Sequence, residues 1–166
     1  MEKRADSPKK HDWVKQGKKN RTSGMVFETK VRNELENMGW IVSKWMNTID
    51  YERDNKIGKI VPAKRKYNPF LKTMVIGTGF PDFICFKKAK EKTGNFFMDA
   101  SQSSAKENFE IIAVEAKKNG YLNQIEKGMC HWLLENNIFP RILIAKKGKK
   151  RGEIEYIDFK EKYGIK

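Results

Sequence analysis

Phe109-Glu110-Ile111-Ile112-Ala113-Val114-Glu115-Ala116-Lys117 is the most strand-like stretch of this 166-residue chain. It is rich in β-branched and apolar residues until it closes on an acid–apolar–base step. Residues two apart in a strand share a face, so Glu115 and Lys117 project together while Val114 and Ala116 face the other way. A carboxylate and an ammonium at the end of an apolar strand are costly unless they are paired or used chemically. Taken alone, the pattern is equally explained by a surface salt bridge.

Working upstream, Phe83-Ile84-Cys85-Phe86 reads as a second strand, entered through Gly79-Phe80-Pro81-Asp82. Pro81 cannot donate to a sheet ladder and so marks a strand start, which places Asp82 at the mouth of that strand. Between the two strands, residues 87–108 are polar and predict a variable loop. Met74-Val75-Ile76 opens this second ordered block. Before it, residues 47–73 form a polar, basic stretch with Pro62 and Pro69, read as a long insertion or a basic hairpin. Earlier still, Phe27, Val31, Leu35 and Met38 recur at spacings of four, four and three, one apolar stripe of a helix. Ser23 is its expected N-cap and Gly39 its expected C′ residue. Trp40-Ile41-Val42 then starts a strand.

Downstream, Asn119-Gly120 signals a turn. A helix follows, with Ile125, Met129, Trp132 and Leu133 on one face and an end near Asn136-Asn137. Arg141–Ala145 predicts a short buried strand, and Glu153–Phe159 a last one. Helix, strands, helix, strand, strand describes one mixed α/β domain spanning 24–166, with a central sheet and helices against it. Residues 1–23 carry eight Lys and Arg with few apolar residues, and read as a flexible basic arm.

Composition narrows the chemistry. Cys85 and Cys130 lie in separate apolar stretches and His11 and His131 are the only histidines. That leaves no zinc cluster, no disulfide framework and little material for a Cys–His or Ser–His–Asp nucleophile. The thiols are expected to be reduced and buried. Any metal must be held by carboxylates, which suits Mg²⁺, with Mn²⁺ as its substitute. Such an ion polarises a phosphoryl oxygen and acidifies an attacking water. A lysine beside it orients that water or stabilises phosphoryl charge.

The formal charge is +14, from 35 Lys and Arg against 21 Asp and Glu. A surface this basic attracts polyanions and gains affinity through counterion release, so nucleic acid is the first partner to expect. Anionic membrane ranks second, since no amphipathic basic helix and no run near the roughly 18 apolar residues of a span is present. The charged residues 1–20 lack the apolar core of a secretory signal, giving an intracellular, cytoplasmic expectation.

Gly-Phe-Pro-Asp-Phe-Ile (79–84) followed by Ala-Val-Glu-Ala-Lys-Lys (113–118) resembles two motifs of the PD-(D/E)xK nuclease superfamily. Gly24-Met25-Val26-Phe27-Glu28, with Gly39 eleven residues after Glu28, is similar to the opening helix of archaeal Holliday junction resolvases. Gly79–Asp82, Glu115–Lys117 and Gly120–Gln124 together also look like the VRR-NUC branch. The resemblance implies a restriction-endonuclease-like fold and a Mg²⁺-dependent DNA endonuclease. It assigns the metal to Asp82 and Glu115 with Glu28, the water to Lys117, and a further site role to Gln124. It also implies a homodimer, because such enzymes cut two strands by pairing, and branched DNA as substrate. The chain departs from a minimal resolvase in the insertion at 47–73 and in the 32 residues between Asp82 and Glu115.

For contacts to the DNA backbone the candidates are Lys64, Arg65, Lys66, Lys118, Lys127, Lys146, Lys147, Lys149, Lys150 and Arg151. The clusters at 64–66 and 146–151 are equally explained as solvated loops. Gln124, Lys127 and His131 fall along one helix edge. Two rivals remain at this stage: a DNA-binding module that does not cut, as in repair or DNA architecture, and a sequence-specific restriction-type enzyme.

Overall fold

A computed structural model describes residues 13–50, 58–68, 73–76, 79–88 and 109–164. Along the chain run α1 (Trp13–Asn37), β1 (Ile41–Lys44), β2 (Asn47–Ile49), β3 (Ile60–Pro62), β4 (Arg65–Asn68) and β5 (Thr73–Ile76). There follow β6 (Phe83–Lys88), β7 (Phe109–Ala116), α2 (Gln124–Glu135), β8 (Ile142–Lys147), β9 (Ile154–Asp158) and α3 (Phe159–Tyr163). Five strands form one mixed sheet in the order β1-β6-β7-β8-β9. Its β7–β8 pair is parallel and the others are antiparallel. Parallel neighbours need a long crossover, and α2 supplies it between β7 and β8.

Strand periodicity sorts the core onto two faces. Ile112 and Val114 of β7, with Leu143 and Ala145 of β8, join Phe27, Val31 and Leu35 of α1. Ala113 of β7, with Ile142 and Ile144 of β8, joins Cys130 and Leu133 of α2 and Phe159 of α3. Cys85 and Cys130 belong to opposite faces as free, buried thiols, and burial raises the Cys85 thiol to about 12.

Helix α1 has the expected stripe and the expected end. Gly39 sits at φ +82, Trp40 N–H donates to Leu35 O and Gly39 N–H to Glu36 O, the paired bonds of a Schellman close. Met38 leaves the stripe at that close and is 43% exposed. The start differs from expectation. Helix α1 begins at Trp13, so residues 13–23 of the expected arm are helical, and residues 1–12 lie outside the described set. Ser23 is not a cap because it lies inside the helix rather than at its start, and its hydroxyl accepts from Lys118 Nζ. The added turns are supported by local bonds, Gln16 Nε2 to Asn20 Oδ1 and Thr22 Oγ1 to Lys18 O.

Other boundaries move for similar reasons. The 47–73 stretch contains the antiparallel pair β2–β3 and the strand β4, and Met74–Ile76 of β5 pairs with Arg65–Tyr67 of β4 rather than joining the central sheet. Ile49 ties the first pair into the α2 face of the core. Strand β6 runs to Lys88, and the rest of the expected loop, 89–108, lies outside the described residues. Strand β8 continues to Lys147, two residues past Ala145. Strand β9 stops at Asp158, whose carboxylate accepts from Lys160 N–H and caps α3, so Phe159 is a buried helix residue. In α2, Ile125 is 52% exposed and the fully buried residues are Cys130 and Leu133. No described helix is long and apolar enough to cross a membrane.

One glycine fixes how β6 is entered. A Cβ built on Gly79 would lie 1.9 Å from Trp45 O and 2.8 Å from Asn47 O. The backbone is pinned there by Phe80 N–H to Asn47 O (2.8 Å) and Trp45 N–H to Asp82 O (3.0 Å). Gly79→Ala is therefore expected to destabilise the protein by about 2–3 kcal/mol. Urea unfolding should show this as a lowered midpoint, and an unchanged midpoint would refute the close approach.

Candidate active site

The start of β6 and the ends of β1 and β7 lie along one edge of the sheet, a consequence of their antiparallel registers. Two carboxylates are buried there, Asp82 at 6% exposure and Glu115 at 4%. Each is held by the other's segment. Asp82 Oδ2 accepts from Ala116 N–H (3.0 Å), and Glu115 Oε2 accepts from Asp82 N–H (3.0 Å). This reciprocal clasp gives a backbone donor at each strand end a carboxylate from the other's segment. Lys117 shares the face of Glu115, as the strand period requires, with Nζ 3.1 Å from Glu115 Oε1.

Helix α2 brings in a residue that sequence reasoning passed over. Asn123 caps the helix, and Glu126 closes a capping box by accepting from Asn123 N–H (2.8 Å). The other oxygen of Glu126 accepts from Lys117 Nζ at 2.6 Å. Gln124, the first residue of α2, is exposed and does not line the cavity; Glu126 occupies the position expected for it. The Asn-x-x-Glu spacing was visible in the sequence and is a capping-box signature, which could have pointed to Glu126.

Glu28, on α1, reaches the same place. A cavity of about 280 Å³ is lined by Glu28, Asp82, Glu115, Lys117 and Glu126, with Gly79, Phe80 and Met129 among its walls. The second residue missed from sequence is Lys44, at the end of β1. Its Nζ lies 2.8 Å from Glu28 Oε2 and 2.9 Å from Asp82 Oδ1.

Burial drives the electrostatics. It pushes the Glu115 carboxyl well above the usual range, Asp82 and Glu126 add to that, and Lys117 opposes it. For Lys117, burial favours the neutral form but is outweighed by the hydrogen bond to Glu126 and by Glu115, which raise it to about 12. Lys44 is likewise raised, with burial overcome by Glu28 and Asp82. Lys117 so held is a cation that donates hydrogen bonds; it is not poised to take up a proton.

The Glu115 shift has a consequence for stability. A folded-state pKa above the ordinary 4.5 means that the folded chain binds this proton more tightly than the unfolded one. Stability from this group is then present at low pH and lost as pH rises from 4.5 towards the raised value. Glu115→Gln carries no such proton. Without added metal, its stability relative to wild type is expected to improve steadily between about pH 5 and pH 8. Thermal melts across that range test this, and a constant difference would contradict it.

Set against family models, curated proteins and solved structures, the chain matches none. The donor chemistry must therefore be weighed on its own. Four carboxylates (Glu28, Asp82, Glu115, Glu126) against two ammoniums (Lys44, Lys117) leave a formal charge of −2. Hard oxygen donors with that balance suit a divalent cation such as Mg²⁺, which commonly takes one or two carboxylates and keeps several waters. Among the described residues no three His, Cys, Asp or Glu groups converge into a complete metal cage. Asp82 and Glu115 are held by each other's segments, and Glu28 is linked to Asp82 through Lys44.

The backbone-contact candidates separate. Lys118 is exposed and bonded to Ser23 of α1. Lys127 lies over the Tyr163 ring at 4.6 Å, and His131 packs edge-on to Phe159, so this edge of α2 faces α3. Lys146 pairs with Glu155 at 2.7 Å, while Lys147, Lys149, Lys150 and Arg151 are exposed around the β8–β9 turn. Lys64 is exposed ahead of β4; Arg65 and Lys66 lie within β4, and their side chains are outside the described set.

Proposed function

We propose that this chain is a Mg²⁺-dependent DNA endonuclease of the PD-(D/E)xK kind, with a restriction-endonuclease-like arrangement of its mixed sheet and helices. The observation that supports it most is the clasp of Asp82 and Glu115 at adjacent strand ends with Lys117 on the same cavity wall. Surface ion pairs do not explain it, because both carboxylates are buried, and that burial, with Asp82 adding to it, raises the Glu115 pKa. A cluster that costs folding energy and faces a cavity is better explained by chemistry.

Asp82 and Glu115 would hold Mg²⁺, or Mn²⁺ in its place, with Glu28 completing the site. When bound, the ion supplies Lewis acidity and a more acidic water. The chain's own part is positional. Ala116 N–H fixes Asp82, Asp82 N–H fixes Glu115, and Glu126 steadies Lys117 so that its Nζ donates toward the attacking water or a phosphoryl oxygen. The +14 charge and the exposed Lys118, Lys147, Lys149, Lys150 and Arg151 suit a DNA backbone. Branched DNA is the preferred substrate and a homodimer the working form, since two strands are then cut by two sites.

The deciding experiment incubates the protein and Mg²⁺ with four-way, flapped and linear duplexes. Cleavage, strongest on branched DNA, is expected. Binding to these substrates without any cleavage would overturn the enzyme reading in favour of a non-cutting DNA-binding module.

A further inference from the structure

The candidate metal ligands are already in contact with a cation that belongs to the chain. Lys44 Nζ links Glu28 Oε2 at 2.8 Å to Asp82 Oδ1 at 2.9 Å. It also lies 5.0 Å from the centroid of the Phe83 ring, its neighbour across the β1–β6 register. Asp82 Oδ2 accepts from the Ala116 backbone, and Lys44 holds the other oxygen, which accepts no backbone bond among the described residues. On the far side of Glu28 is an adjoining cavity of about 230 Å³, lined by Met25, Thr29, Arg32, Lys44 and Phe83.

We propose that Lys44 is a resident counter-ion of the site, which a divalent cation must displace before Glu28 and Asp82 become its ligands. The inference rests on the metal-dependent reading above and adds to it a built-in restraint on metal entry. An ammonium and a metal ion compete for the same carboxylate oxygens and repel each other at such distances. The four-carbon stem of lysine is flexible, and the adjoining cavity gives the displaced ammonium somewhere to go. In the absence of metal, Lys44 offsets part of the charge of Glu28 and Asp82 and ties α1 to the strand ends. The cost is weaker metal binding, because breaking both contacts is coupled to each binding event.

Mn²⁺ titrations of the full chain, by calorimetry and by the spin-resonance signal of the free ion, test this directly. Lys44→Met is expected to bind Mn²⁺ about 5-fold more tightly than wild type, or better. Its thermal midpoint in chelator should fall, and the rise on adding Mn²⁺ should exceed that of wild type. Lys44→Gln serves as a second uncharged variant with the same expectation should Lys44→Met fold poorly. Arg32→Met removes one charge from the same cavity without touching Glu28 or Asp82, and should stay within about twofold of wild type. Affinity unchanged or weakened in both Lys44 variants overturns the exchange, as does equal tightening in Arg32→Met. If wild type binds Mn²⁺ and Asp82→Asn does not, the metal reading stands whatever the Lys44 variants do. If neither wild type nor the Lys44 variants bind Mn²⁺, both readings fall together.

Discussion

Asp82→Asn is expected to reduce Mg²⁺-dependent cleavage by about 10³-fold or more, since loss of a metal ligand forfeits several kcal/mol of charge stabilisation. Asparagine has nearly the shape of aspartate and can still accept from Ala116 N–H, so the clasp between β6 and β7 survives. What disappears is the negative charge that Asp82 contributes beside Glu115. With Asp82 neutral, Glu115 loses one of the causes that raise its pKa, and the pair no longer offers two anions to one cation. The fold is therefore expected to persist, with DNA binding unchanged or slightly improved, because a negative group facing phosphate has been removed. Single-turnover cleavage measured beside a gel-shift titration separates these effects. Cleavage within about tenfold of wild type would remove Asp82 from the site.

Lys117→Ala is expected to cost about 10²–10³ in the cleavage step, the range for losing one preorganised donor to developing charge. Its signature should differ from that of Asp82→Asn. Both buried carboxylates remain, so Mn²⁺ binding is retained, and the loss falls on the rate of the bound complex. The pKa of about 12 explains why a donor role is assigned. A lysine held as a cation by Glu115 and Glu126 orients and stabilises; a general base would need a value near the working pH. Equal cleavage by Lys117→Ala and wild type would leave the Glu115–Lys117 pair as a structural ion pair only.

How much of this was legible beforehand depends on the distance over which each feature is set. Glu115 and Lys117 share a face because a strand repeats every two residues, and that is a local property. Asp82 stands at the mouth of β6 because Pro81 cannot extend the ladder, which is local as well. The α1 stripe through Phe27, Val31 and Leu35 and its close at Gly39 follow from helix period and glycine's access to positive φ. Ser23 is not a cap because α1 continues ten residues further back, to Trp13, past the point where the apolar stripe begins. Phe159 was assigned to a strand because alternation alone does not show that Asp158 caps a helix.

The main elements α1, β6, β7, α2 and β8, the mixed α/β class they imply and the shared face of Glu115 and Lys117 are thus properties the sequence determines by itself, since periodicity over a few residues sets each. Only the tertiary structure decided which other groups meet that pair. Lys44 reaches Asp82 across 38 positions because the β1–β6 register sets Lys44 opposite Phe83. Glu28 reaches Lys44 because α1 docks on the sheet, and Glu126 replaces Gln124 because the capping box turns the third residue of α2 back toward Lys117. Register and docking depend on the whole core, so no local spacing encodes them; the capping box is local, but its meeting with Lys117 depends on where α2 packs.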